Sequence, residues 1–342
     1  MASQLIPPVG PYGLPPDLLV TPENVTQMVE MGQLSPYDAL RALQRAEALE
    51  GGGGTGRAGS SASNGTAIPE PRPRAIDEVW NELNTLIGLD SVKELIREIQ
   101  AYIEVQRRRA REQLASDPLV LHMIFKGNPG TGKTTVARII GRLFKEMGVL
   151  QKGHLVEVER ADLVGEYIGH TAQKTREQLK KAMGGILFVD EAYSLARGGE
   201  KDFGKEAIDT MVKAMEDNKE NLIVILAGYR REMEHFIRQN PGIKSRFPIH
   251  IDFPDFSLEE LLRIARLMLE KRQYVLAEES QAKLSNIVAA RSRLDENSGN
   301  ARLVRNLIER AIRRHATRLV GRPEATRDEL MLLLPSDLEE VV

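Results

Sequence analysis

The sequence predicts an α/β fold: a parallel sheet with helices on both faces, followed by a small α-helical domain. Three observations predict it. Short apolar runs at 119–125, 154–158, 186–190, 222–227 and 249–253 alternate with helical patterns that start near Lys133, Thr171, Lys205 and Arg230. Strands that alternate with helices form a parallel sheet covered on both sides. After Pro254 the strand runs stop, and helical spacing continues to about Leu319. A glycine-rich string, Gly127 to Thr134, falls between the first strand and the first helix, and ligands of such sheets gather at the strands' carboxyl ends.

The elements follow in order. Residues 1–50 read as a short module of two helices, opened by Thr21-Pro22-Glu23 and by Ser35-Pro36, each a cap followed by proline. It is either a partner-docking or regulatory hairpin or a loose tail with nascent helix. Residues 51–74 form a Gly/Ser/Pro-rich linker that cannot bury a core. The α/β core is placed at 75–254 and a helical lid at 255–342. Ser91 with Glu94 predicts a capping box that opens an amphipathic helix through Leu95, Ile96, Ile99 and Ile103. Ser257 with Glu260 predicts another at the lid's entry.

Composition excludes more than it selects. The chain has 342 residues, about two domains' worth, with 42% hydrophobic and 28% charged residues. No cysteine occurs, which excludes disulfides, thiolate metal sites and cysteine nucleophiles. The net charge of −2 gives no global pull toward nucleic acid or membranes. No apolar run is long enough to span a bilayer, and the proline-rich first 20 residues do not read as a signal peptide. A reducing, cytoplasmic setting is expected. The six histidines form no metal-ligand spacing and read as ordinary core or surface residues.

Two strings carry chemistry. Gly127, Asn128, Pro129, Gly130, Thr131, Gly132, Lys133 and Thr134 match G-x-x-x-x-G-K-[ST] in full, with Thr135 next. Glycines let backbone N–H groups turn toward phosphate oxygens, and the helix N-terminus adds partial positive charge. Lys133 can reach the β- and γ-phosphates, and the Thr134 hydroxyl can bind magnesium. The second string is Ile186-Leu187-Phe188-Val189-Asp190-Glu191, a buried strand ending in two carboxylates. Asp190 can hold magnesium. Glu191, on the opposite side of the pleat, can act as general base on water.

With KGNPGTGKTTVARIIG, ERADLVGEYIGHTAQKT, GGILFVDEAYSL, ILAGY, SRFPIHIDFPDFS and GNARLVRN, the chain from about residue 75 onward resembles the AAA+ ATPases. Within them it is similar to the branch that holds a sporulation protein and the red-type Rubisco activases. The resemblance implies a parallel-sheet core with a helical lid, ATP and Mg2+ as cofactors, and a homo-oligomeric ring, most simply a hexamer. It implies Lys133, Thr134, Asp190 and Glu191 as the phosphate, magnesium and water-activating residues. Tyr229 stands where many relatives place a polar sensor, usually asparagine. Arg246 matches the arginine finger that serves a neighbouring subunit; otherwise it is a surface arginine paired with Asp255 or a similar acid. Arg302 matches the lid sensor, or is a helix-surface arginine. Ile87 and Gly88 match the adenine pocket, or pack the helix entry. Tyr167, Ile168 and Gly169 match a pore loop that grips polypeptide, or form a connecting loop with a buried tyrosine.

Residues 302–327 hold eight arginines and two glutamates. They form a solvated or intersubunit face or, alternatively, an anion site. The implied activity is ATP-driven remodelling or threading of a protein partner, in spore formation, with Rubisco activation as the alternative. A nucleic-acid motor and a nucleotide-dependent scaffold are lesser readings; no membrane partner is expected.

Overall fold

The protein is described by a computed structural model covering residues 73–115, 120–167, 169–197, 203–219, 221–294 and 299–338. The helical module at 1–50, the linker up to residue 72 and Ile168 lie outside these residues.

Helix α1 (Pro73–Thr85) takes in the last two residues of the proline-rich segment, since proline's fixed φ suits a first helical turn. Helix α2 (Asp90–Arg111) follows. The expected capping box at its start is absent. Leu89 is the N-cap, at φ 59, with no side-chain cap, so Ser91 lies inside the first turn. Packing overrides capping here, because the Leu89 side chain is buried. Gly88, at φ 62, makes the preceding turn, and a Cβ there would collide with the Glu260 carboxylate.

Five parallel strands follow: β1 (Met123–Gly127), β2 (Leu155–Val158), β3 (Ile186–Val189), β4 (Ile223–Gly228) and β5 (Ile249–Phe253). Their order is β2-β3-β4-β1-β5. Helix α3 (Lys133–Glu146) leaves β1. The short α4 (Arg160–Leu163) and then α5 (His170–Ala182) link β2 to β3. A 3-10 turn (Ala192–Ala196) and α6 (Gly204–Asp217) link β3 to β4. Helices α7 (Arg230–Gln239) and α8 (Pro241–Arg246) lead to β5.

The pleat sorts the core into two layers. Met123 and Phe125 of β1, with Ile186 and Phe188 of β3, pack against α1, α2 and α3. Ile124, Leu187 and Val189 face the opposite layer with Met211, Phe236 and Phe247. Each such side chain, fully buried, contributes about 1.5–3 kcal/mol.

The lid is built from α9 (Leu258–Glu270), α10 (Glu278–Leu294), α11 (Asn300–Leu319) and α12 (Arg327–Met331). Leu261, Ala265, Leu284, Val288, Val304 and Ile308 fill its core. The Ser257–Glu260 capping box is present at its entry. Periodicity did not reveal a small parallel ladder, β6 (Val275–Leu276) with β7 (Leu332–Leu333), because two-residue strands carry no pattern.

The first strand begins at Met123, four residues later than its apolar run. Leu121 and His122 are buried but outside the ladder. His122 Nδ1 instead accepts the Val224 N–H at 3.1 Å, and its ring leans on Phe247. An accepting nitrogen requires the neutral ring, and burial lowers the His122 pKa from 6.5 to about 4. Between those values only the unfolded chain binds the proton, so stabilisation present above pH 6.5 is lost as the pH falls toward 4. Urea unfolding from about pH 7 down to about pH 4 should therefore show a His122 contribution of at most about 1.4 kcal/mol per pH unit. His122→Gln, which keeps an acceptor for Val224, is expected to remove that slope; an unchanged slope rules His122 out as its source.

Candidate active site

At the carboxyl end of β1 the chain turns through Gly127 to Gly132 and enters α3. Gly132 is the N-cap, at φ 96, with no side-chain cap, so the first N–H groups of α3 open outward. The turn is held from beneath. Thr131 is fully buried, and its hydroxyl donates to the Asn128 carbonyl at 2.8 Å. Lys133 Nζ donates to the carbonyls of Gly127 and Asn128 at 2.8 and 2.9 Å. Burial holds this ammonium below the usual lysine range, while Asp190 pulls the other way.

The turn borders a cavity of about 260 Å³. Gly127, Pro129, Gly130, Gly132, Lys133, Thr134 and Thr135 line one side. Asp190 and Glu191 from the end of β3, Tyr229 after β4, and Arg302 from the lid line the rest. These predicted residues, scattered over the chain, meet because parallel strands deliver all their carboxyl ends to one edge.

Some placements differ from expectation. Glu191 does not sit on the opposite side of the pleat. The strand ends at Val189, Glu191 turns into the left-handed region at φ 47, and both carboxylates face the same cavity. Asp190 Oδ1 accepts the Glu191 N–H at 3.0 Å, which braces that turn. A left-handed non-glycine residue is costly and is found where the surroundings hold it. Asn128 lies outside the cavity, its amide donating to Asp255 at 3.0 and 3.1 Å. Ile87 and Gly88 also lie outside it: Ile87 is buried and Gly88 abuts Glu260. Only the neighbouring Leu89 side chain approaches the loop, beside Gly132. Sequence reasoning missed Arg305, which lines the cavity one helical turn beyond Arg302. Its i, i+3 spacing from Arg302 was a readable signal.

Among the described residues no group of three His, Asp or Glu side chains is arranged to hold a metal. The Thr134 hydroxyl and the two carboxylates are hard oxygen donors of the kind magnesium takes alongside phosphate oxygens. Thr134 Oγ1 lies 3.4 Å from Glu157 Oε1.

Arg246 stands outside the cavity at the end of α8. Its guanidinium pairs with Glu216 at 2.8 and 2.5 Å, and not with Asp255. Tyr167 is 64% exposed and meets the His170 ring edge-to-face, so it is no buried loop tyrosine. Gly169, at φ 84, caps α5 with open space around it. Part of the lid's arginine excess is structural: Arg318 forms two hydrogen bonds with the buried carboxylate of Asp337, and Arg322 pairs with Glu329. No helix among the described residues is long and apolar enough to cross a membrane.

Comparison with known proteins bears on this geometry. Residues 123–255 match the family model "ATPase family associated with various cellular activities (AAA)", and residues 257–341 match the AAA lid domain. The chain is 55% identical over 271 residues to Stage V sporulation protein K of Bacillus subtilis (strain 168), covering 79% of this chain and 84% of that protein. It is 50% identical over 244 residues to Protein CbbX of Cereibacter sphaeroides, covering 71% and 79% respectively. In fold alone it is similar to a RuvB mutant from Thermotoga maritima, with a TM-score of 0.50, 20% identity and coverage of 75% of this chain and 69% of that one. A loop, an acid pair and a lid arginine on one cavity, with relatives of this likeness along both halves, lead to one conclusion: the chain belongs to the AAA ATPase family.

Proposed function

We propose that the protein is an ATP-hydrolysing motor that works as a ring, most simply a hexamer, and remodels or threads a protein partner. The observation that carries this reading is the meeting of Lys133, Thr134, Asp190, Glu191 and Arg302 on one cavity. These residues fit a nucleoside triphosphate with magnesium: an uncapped helix N-terminus, a half-buried ammonium and hard oxygen donors lie side by side. Magnesium, when bound, neutralises phosphate charge during transfer. Thr134 and Asp190 would hold it. Lys133 grips the phosphates from the loop side and Arg302 from the lid side. Glu191, exposed at the cavity wall, takes the proton of the attacking water. Tyr229 offers a phenol to orient that water. The purine would lie outside this cavity, toward the Ile87–Gly88 turn, whose Leu89 packs beside Gly132.

Arg246 lies outside its own cavity, which supports a site shared between subunits. There its guanidinium would leave Glu216 and meet the charge developing in a neighbour's nucleotide. The exposed Tyr167, with Ile168 and Gly169, supplies the polypeptide grip: a large ring beside a glycine needs little ordering and reads no sequence. The likeness to Stage V sporulation protein K supports spore formation, in the cytoplasm, as the setting. A red-type Rubisco activase is the second reading, supported by the likeness to Protein CbbX. Reactivation of an inhibited Rubisco by the purified chain separates the two.

Arg246→Ala alone should lower ATP turnover by on the order of 10³-fold, as loss of an arginine finger does. Glu191→Gln should bind ATP without turning it over. Mixing the two inactive variants should restore part of the activity, measured as phosphate release; full activity of Arg246→Ala alone would sink the shared site. Capture of protein partners by Glu191→Gln in the presence of ATP should be lost when Tyr167→Ala is added. If DNA or RNA stimulates turnover with a steep salt dependence and no protein does, the protein-remodelling reading fails.

A further inference from the structure

Asn300 opens the lid helix α11, yet it is fully buried. It also adopts the left-handed conformation, at φ 45, which asparagine tolerates better than most residues. Both ends of its carboxamide are engaged. The Oδ1 atom accepts the Phe256 N–H at 2.9 Å. The Nδ2 atom donates to Asp255 Oδ1 at 2.7 Å and to the Pro129 carbonyl at 3.4 Å. Asp255 also accepts the amide of Asn128. The next residue, Ala301, donates its N–H to the Gly130 carbonyl at 3.2 Å. A Cβ on Gly130 would strike the Gly299 carbonyl, so the loop and lid backbones touch directly.

Three segments distant in sequence therefore converge on one side chain: the phosphate loop, the junction at Asp255-Phe256 where core passes to lid, and the first turn of α11. Two residues further on, Arg302 faces the cavity, and Arg305 follows it. We propose that Asn300 is a positioning residue for the nucleotide: it latches the lid to the phosphate loop and so sets where Arg302 stands. The proposal rests on the nucleotide-binding reading above and deepens it.

The chemistry requires this residue type. Alanine would leave the half-buried Phe256 N–H without its acceptor and would take from Asp255 the donor that ties the junction to the lid, leaving it only Asn128. Aspartate would lose both donor hydrogens and set a second carboxylate against Asp255. Only a side chain that accepts and donates at once satisfies the junction and the loop together.

The test is a titration of the full chain with a fluorescent ATP analogue, with thermal melts run with and without it. Asn300→Ala is expected to weaken binding about tenfold, within the range for residues coupled through one network. Arg302→Ala should weaken it too, and the double variant should be no weaker than the worse single one, since Asn300 acts through Arg302. Asn128→Ala, at a partly exposed position, should shift binding in the same direction by less. Wild-type affinity in Asn300→Ala, or losses that add fully in the double variant, overturns the proposal. A variant that melts lower but binds as wild type assigns Asn300 a structural role only and overturns it as well. Should Asn300→Ala fail to fold, the cycle of Asn128→Ala with Arg302→Ala carries the test by the same additivity criterion. No binding by the wild-type chain overturns the nucleotide reading itself and the latch with it. That result is distinct from binding that Asn300→Ala leaves unchanged.

Discussion

A turn that aims its backbone N–H groups outward cannot hold itself together, because the groups that would close it are turned toward the ligand. The loop from Gly127 to Gly132 is such a turn, and the surrounding structure supplies what it lacks. Thr131 and Lys133 bond the loop's inward carbonyls, Asn128 anchors to Asp255, and the lid's Asn300 and Ala301 bond Pro129 and Gly130. Beneath it, β1 is paired on both sides, to β4 and β5, so the loop leaves from the interior of the sheet. A loop on such a base loses little entropy on binding a ligand, since most of its ordering occurs on folding.

Charge at this edge is balanced across elements. Lys133, half-buried, lies under the influence of Asp190, Asp255 and Glu191 on one hand and Arg302 on the other. Phosphate would enter a site whose cations come from loop and lid and whose anions come from the ends of β3 and β5. Opening the lid would withdraw Arg302 and Arg305 and leave Lys133 in place, which makes lid position and nucleotide charge interdependent. The Arg246–Glu216 pair shows the same economy outside the cavity: a guanidinium proposed to act on a neighbour has a partner within its own chain.

Backbone strain falls at the same places. Among the described residues, three of the five non-glycine residues in the left-handed region, Glu191, Leu89 and Asn300, lie at or beside the loop, the acid pair or the lid junction, while Gln113 and Gln273 lie elsewhere. Each is held by something specific: Asp190 for Glu191, burial for Leu89, and a saturated carboxamide for Asn300. Strain of this kind persists only where the surroundings over-determine it.

Much of this was legible in the residues alone. Apolar runs alternating with helical periods determined the parallel sheet, because a strand buried on both faces must be continuously apolar. The loop signature and the carboxylates after β3 determined where chemistry belongs, because turn glycines and strand ends are local features. Other features were decided only by tertiary structure. Ser91 and Glu94 read as a cap, yet burying Leu89 started the helix earlier. His122 read as part of a strand, yet its ring took over a backbone's hydrogen bond. Glu191 read as alternating with Asp190, yet the strand stopped short of both. Above all, Asn300, Asp255 and Asn128 carry no joint signal along the chain, since the contacts joining them span 45 and 127 residues. Local periodicity and spacing specify elements; which polar groups those elements bury against one another depends on the packed whole.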